Sequence, residues 1–162
     1  MDMQLNRIKS FAVDHTKLVP GMYVSRIDGD DVTYDIRMKQ PNGGNYLANA
    51  PLHTIEHLFA TYVRSSAMSG NIVYFGPMGC RTGFYFITRG LSDAQAVELT
   101  KEAFRFIADF TGDIPGATAA ECGNWRDHDL EGAKAEARKY IDVLAHVDAT
   151  TLGYTGAQQG GV

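Results

Sequence analysis

Two histidines and a glutamate share one pentapeptide, His53-Thr54-Ile55-Glu56-His57. Residues four apart on a helix lie one above the other, so both imidazoles project from one face and can share a metal ion. Around such a helix Glu56 sits about 100° from His57 and about 60° from His53. From that flank it can act on whatever the metal holds without being a ligand itself. The same stripe continues through Ala60 to Arg64, a cation placed to grip a carboxylate at a distance from the metal. Catalytic zinc or Fe(II) takes three protein ligands and keeps a position open. The candidates for the third ligand are Cys80, Cys122, His15, His128 and several carboxylates. A thiolate suits a borderline-soft ion. Both cysteines lie in glycine-flanked turns, Pro77-Met78-Gly79-Cys80 and Glu121-Cys122-Gly123-Asn124, rather than in an apolar stripe. Spacing leaves open which of the two binds. A free thiol beside such an ion is instead a proton carrier, because nearby positive charge favours the thiolate.

These side chains need elements to hold them. Leu52, Ile55, Leu58, Phe59, Tyr62 and Val63 recur at helical spacing and predict a helix from Leu52 to Ala67, closed by Gly70. Val32, Tyr34, Ile36 and Met38 alternate with polar residues, predicting a strand over Val32–Met38 after an earlier one at Met22–Ile27. The Pro-, Asn- and Gly-rich stretch 41–51 reads as a loop. Two further strands are predicted at Ile72–Phe75 and Gly83–Thr88, joined by a turn at Gly76–Gly79. Ser92 and Gln95 form a capping-box pattern opening a helix to about Phe110, and a last helix runs from about Asp129 to Val147. Strands paired before and between helices predict an α+β fold rather than a doubly wound sheet.

Composition bounds the function classes. A chain of 162 residues, 44% hydrophobic and 21% charged, reads as one domain over residues 1–162 and is far from disorder. Fifteen basic against nineteen acidic residues give a net charge of −4 with no basic block, which argues against a nucleic-acid partner. No apolar run approaches the roughly 18 residues of a membrane span, and the start MDMQLNRIKS has no apolar core of a secretion signal. The expectation is a cytoplasmic protein whose two cysteines are thiols. The Gly- and Gln-rich end, about 153–162, reads as a flexible tail.

Five segments resemble a known family. HTIEHLFATYVR, GPMGCRTGFY and ECGNWRDHDLEGAK are similar to the three signature segments of S-ribosylhomocysteine lyase, the LuxS family; SFAVDH and YDIRMKQPN are similar to two more. They occur in the family's order from Ser10 to about Lys134. The resemblance implies cleavage of S-ribosylhomocysteine to homocysteine and dihydroxypentanedione, the precursor of the autoinducer-2 signal. It implies an antiparallel sheet packed with helices, and a homodimer with active sites at the interface, the N-terminal segment serving the partner's site. His53, His57 and Cys122 would hold one divalent metal per subunit, Fe(II) natively, with zinc or cobalt as substitutes. Cys80 and Glu56 would be the two acid/base groups, and Ser10, His15, Arg37 and Arg64 would line the substrate pocket.

That chemistry suits these residue types. A thioether carbon–sulfur bond has nothing beside it to stabilise charge, so the sugar carbonyl must first migrate by two enolisations until β-elimination of the thiol is possible. A metal polarises the carbonyl oxygen, and two proton carriers on different sides of the substrate move the protons. Cys80 would act near the first carbons, Glu56 nearer the leaving sulfur, and Arg64 would secure the homocysteine carboxylate. No Gly-rich nucleotide loop is present. One position departs from the family: Tyr74 stands six residues before Cys80, where the family commonly has an Asp that helps hold the homocysteine amino group.

Two other readings use the same residues. H-x-x-E-H is also the inverted zincin pattern, with Glu131 as a downstream third ligand for a metallopeptidase; it leaves both cysteines without roles. A non-catalytic metal-binding dimer would close all four positions with both cysteines. Trp125 and His128 read as packing or orienting groups beside Cys122, His146 as a solvated or hydrogen-bonded side chain, and Phe104, Phe106, Ile107 and Phe110 as core and interface.

Overall fold

The apolar stripes and alternations find their complements in a sheet covered by helices on one face. The structure, a computed structural model, describes residues 2–156, 158 and 159. The elements are α1 (Lys9–Ala12), β1 (Gly21–Asp28), β2 (Asp31–Arg37), α2 (Asn49–Ser65), a single 3-10 turn (Ser69–Asn71), β3 (Ile72–Pro77), β4 (Gly83–Arg89), α3 (Asp93–Asp109) and α4 (Leu130–Leu144). The sheet order is β1-β2-β4-β3 with every pairing antiparallel. The class is α+β, with the antiparallel sheet that the resemblance implies.

Period-two alternation divides the sheet. Tyr34, Ile36, Phe84 and Phe86 are fully buried in the core shared with the helices. Phe59 of α2 stacks on Phe75 of β3 at 3.8 Å between ring centroids, and Phe75 stacks in turn on Phe84 at 4.7 Å. Phe59 also meets Phe86 edge-on and Phe104 of α3 at a tilt, and Phe104 meets Tyr140 of α4 edge-on, so all three helices join this column. Two buried phenols set the helices against the strands: Tyr34 donates to Asp93 Oδ1 at 2.7 Å, and Tyr140 donates to the Gly21 carbonyl at 2.6 Å. The second sheet face carries Thr33, Asp35, Arg37, Tyr85 and Ile87, and the N-terminal residues Ile8–Ser10 lie beside it.

Boundaries moved for local reasons. Helix α2 starts at Asn49, before the predicted Leu52, because Pro51 is tolerated in a first turn where its missing N–H is not needed. It ends at Ser65, where the next residue turns extended. Strand β3 continues through Gly76 and Pro77, which pair with Tyr85 and Phe84, so the turn falls at Met78–Arg81 and not at Gly76–Gly79. Helix α3 has the complete capping box of Ser92 and Gln95, and Asp129 caps α4. Helix α1 was not anticipated; it buries no side chain and so leaves no apolar periodicity.

Part of the predicted flexible tail, Ala157 and Gly160–Val162, lies outside the described residues. In the rest, Tyr154 stacks on Tyr23 at 4.9 Å and donates to Asp35 Oδ2 at 2.8 Å. The Gln158 carbonyl accepts from the Asp14 amide at 2.7 Å, and Gln159 bridges to Val13. The last described residues thus tie the N-terminal segment to the second sheet face.

Gly83 is the tightest point of the sheet, since any Cβ there would run into the carbonyl oxygen of Ile36 on the paired strand. Gly83→Ala is expected to destabilise the fold by about 3 kcal/mol through backbone overpacking, read as a lowered urea midpoint with an unchanged slope.

Candidate active site

Helix α2 presents its half-buried stripe of His53, Glu56 and His57 away from the core, because Leu52, Ile55, Leu58, Phe59 and Val63 occupy the buried side. The segment leading to α4 crosses this stripe. Its backbone carbonyls meet the histidines: His53 Nδ1 is 2.8 Å from the Asp127 oxygen and His57 Nδ1 is 2.8 Å from the Pro115 oxygen. A carbonyl only accepts, so both Nδ1 atoms carry the proton and both Nε2 atoms offer lone pairs. Those lone pairs face one sulfur, with Cys122 Sγ 3.4 Å from His53 Nε2 and 3.9 Å from His57 Nε2. The two imidazole planes stand at 86° to each other, so an ion can lie in the plane of both rings. This His-His-Cys group fits a divalent metal: two neutral imidazoles and a thiolate, in a site that is half-buried.

His128 has a nitrogen in the same neighbourhood, all four donor atoms lying within 4.8 Å of one another. Its ring, however, stacks on His53 at 3.9 Å with only 22° between the planes. An imidazole lone pair lies in its ring plane, and two nearly parallel planes do not meet at an ion beside both rings. His128 therefore backs His53 as a stacking partner. Its Nδ1 is 3.0 Å from the buried Thr54 hydroxyl, which also accepts from the Asp129 amide at 3.0 Å. Burial first, and then the neighbouring His53 and His57, hold the His128 imidazole below the usual histidine range.

Glu56 lines a cleft beside the centre with His57, Thr61, Tyr74, Pro115 and Gly116. Gly116 has φ 71° and comes so close to His57 that a Cβ would sit 3.3 Å from its Nδ1; a glycine lets the loop carbonyl reach the ring. Farther along the stripe, exposed Arg64 donates to the Val73 carbonyl at 3.2 Å, next to Tyr74. Tyr74 folds across Gly76, where a side chain would collide with the phenol oxygen. It also borders a second cleft with Ser10, Lys9, Thr33 and Tyr85.

Cys80 stands apart from the donor group. It is exposed on the β3–β4 turn and lines a third cleft with His15, Asn42, Tyr46 and Thr82. Its sulfur is 3.1 Å from Thr82 Oγ1, which accepts from Arg37 Nη1 at 2.8 Å. The fold thus gathers seven of the nine sequence-predicted residues into two sets, His53, Glu56, His57 and Cys122 around α2, and His15, Arg37 and Cys80 at the end of the sheet, while Ser10 lies in the second cleft and Arg64 farther along α2. Among the described residues of one chain the donor group includes neither Cys80 nor Glu131, and Glu131 is exposed in the first turn of α4. The carbonyls of Pro115 and Asp127 left no trace in the sequence, having no side-chain identity. Thr54 did leave one, a hydroxyl on the buried side of an otherwise apolar stripe.

The family profile described as S-Ribosylhomocysteinase (LuxS) matches residues 8–151. This chain belongs to the LuxS family. The match runs from α1 through α4 and takes in both residue sets. The chain is 50% identical over 157 residues to the S-ribosylhomocysteine lyase of Phocaeicola vulgatus, covering 93% of this chain and 98% of that one. It is 44% identical over 155 residues to the enzyme of the same name from Finegoldia magna, and 46% identical over 156 to that of Borrelia garinii subsp. bavariensis, covering 93% of this chain and 99% of each relative. A LuxS-type divalent site is consistent with the His-His-Cys group described above.

Metal analysis of the purified protein is expected to find the divalent ion lost from His53→Ala, His57→Ala and Cys122→Ala but kept by Cys80→Ala. Thr54→Val, which unfastens Asp129 and His128 from the helix, is expected to weaken metal affinity about tenfold, measured by chelator competition.

Proposed function

We propose that this chain is an S-ribosylhomocysteine lyase, releasing homocysteine and forming dihydroxypentanedione, the autoinducer-2 precursor. The observation that carries the reading is the His-His-Cys group with Glu56 in the cleft beside it, in a chain matched along nearly its full length by relatives named for that reaction. His53, His57 and Cys122 hold the metal, which supplies Lewis acidity toward the sugar's carbonyl oxygen. The family resemblance implies Fe(II) as the native ion, and imidazole and thiolate donors would also accept zinc or cobalt in its place.

The chain's own groups do the rest. Glu56, next to His57, takes and returns the proton nearer the leaving sulfur, while the Cys80 thiol serves the first sugar carbons. Arg64, two turns beyond His57, receives the homocysteine carboxylate. His15, which lines the Cys80 cleft, holds the sugar hydroxyls, Arg37 backs that cleft through Thr82, and Ser10 closes the amino-acid end near Tyr74.

A homodimer with active sites at the interface is part of the proposal. Its support is the separation of the two sets: Cys80 and His15 line one cleft and Glu56 and His57 another, so one substrate meets both proton carriers where two chains face each other. Exposed Met3, Leu5, Ile8 and Phe11 in the N-terminal segment, with Ile27 and Tyr74 on the sheet, supply apolar surface for such a contact. Both cysteines are free thiols, in keeping with a reducing cytoplasmic location. No helix among the described residues is long and apolar enough to cross a membrane. The metallopeptidase alternative lacks its third ligand, Glu131 lying outside the donor group.

The test is anaerobic release of homocysteine thiol from S-ribosylhomocysteine by reduced protein loaded with Fe(II) or cobalt. Glu56→Gln and Cys80→Ala are each expected to lower turnover by about 10²–10⁴ with metal retained, the span of one acid/base group. No release from fully metallated dimer would sink the assignment.

A further inference from the structure

Thr82 is 2% exposed, yet it lines the Cys80 cleft and its hydroxyl joins the cleft's thiol to the buried Arg37 behind it. Arg37 Nη1 donates to Thr82 Oγ1 at 2.8 Å, and Cys80 Sγ lies 3.1 Å from the same oxygen. A guanidinium has no acceptor, so the Thr82 oxygen accepts from it, and the hydroxyl proton, which that bond does not use, is within reach of the sulfur. A Cys80 thiolate, which only accepts, would take that proton as a hydrogen bond. At its other end the buried guanidinium donates from Nη2 to Asp35 Oδ2 at 2.8 Å. The Tyr154 hydroxyl donates to that same carboxylate oxygen at 2.8 Å. The contacts run from the buried pair through Thr82 to the sulfur, and Tyr154 braces the far end.

We infer that Thr82 is a positioning residue that passes the hydrogen bonding of Arg37 to the Cys80 sulfur, with Tyr154 steadying the Asp35–Arg37 pair behind it. The mechanistic meaning rests on the reading of Cys80 as a proton carrier; the bonding does not. The titratable and charged groups around the thiol are Arg37 from β2, Tyr85 from β4, and His15 and Tyr46, which line the same cleft. Thr82 is the one that touches both the charge and the sulfur. A hydroxyl at this position therefore controls reactivity, whereas a merely space-filling residue would not.

The experiment is alkylation of the full-length, metal-loaded protein with iodoacetamide at neutral pH, followed by mass spectrometry of the Cys80 peptide; bound metal keeps Cys122 occupied. Thr82→Val is expected to slow alkylation at Cys80 about tenfold and Thr82→Ser to return it to within about twofold, because the sulfur loses and regains its link to the Arg37 hydrogen bonds. Equal rates in the parent and Thr82→Val would overturn the inference. If Thr82→Val does not fold by circular dichroism, Thr82→Ala carries the same expectation and the same refutation. Tyr154→Phe keeps the ring on Tyr23 and removes one donor from Asp35; a threefold slowing, roughly, is expected, and an unchanged rate would remove Tyr154 from the inference. Alkylation needs no substrate, so failure here and failure to release homocysteine are read independently.

Discussion

The site depends on two backbone carbonyls, those of Asp127 and Pro115, each accepting from the Nδ1 of a histidine on α2. Without them either ring could show either nitrogen, and the two lone pairs would not converge on Cys122. The carbonyls can do this only if the connecting segment is pinned and the helix cannot roll. Gly116 and the Thr54–Asp129 bond pin the segment. The Phe59–Phe75–Phe84 column stops the helix from rolling, since a small rotation would break a stack spanning α2, β3 and β4. Close packing tolerates no intermediate position, so core geometry becomes ligand geometry.

The second set of residues is organised by charge. Asp35 and Arg37 are 1% and 3% exposed, and desolvating two ions costs more than an apolar pair in their place would. Asp35 Oδ1 and Arg37 Nε have no hydrogen-bond partner among the described residues, which raises that cost. What the pair does instead is hold a fixed guanidinium against Thr82, beside the thiol. Burial, then the neighbouring Asp35, push the Tyr154 phenol well above its ordinary range, so it remains a neutral donor to that carboxylate. Tyr154 is in this way part of the architecture around Cys80.

Much of the fold was legible where periodicity was strong. All four strands and the three long helices fell where alternation, apolar stripes and caps place them, because each element has one face in a common core. What escaped was whatever lacked a stripe. Helix α1 buries nothing. The Tyr154–Gln159 contacts are made by a segment whose Gly and Gln content reads as disorder, although one stacked phenol and a few backbone bonds suffice to dock it. Strand β3 ran on through Gly76 and Pro77 because pairing with β4 outweighed their turn propensity.

By itself the sequence determined the donor types and their helical spacing, the α+β class and the family, all carried by residues close together in the chain. Spacing alone left Cys80 and Cys122 equal, since both sit in similar turns; the family resemblance pointed to Cys122, and the tertiary structure brings Cys122 and not Cys80 to the two histidines. Only it separated His128, whose ring stacks on His53 and so cannot share an in-plane ion, from the two histidines that face Cys122. The tautomers were decided the same way, by carbonyls 74 and 58 positions away. Spacing along a chain encodes which face a side chain takes, while the orientation of a lone pair depends on what the rest of the fold brings against it.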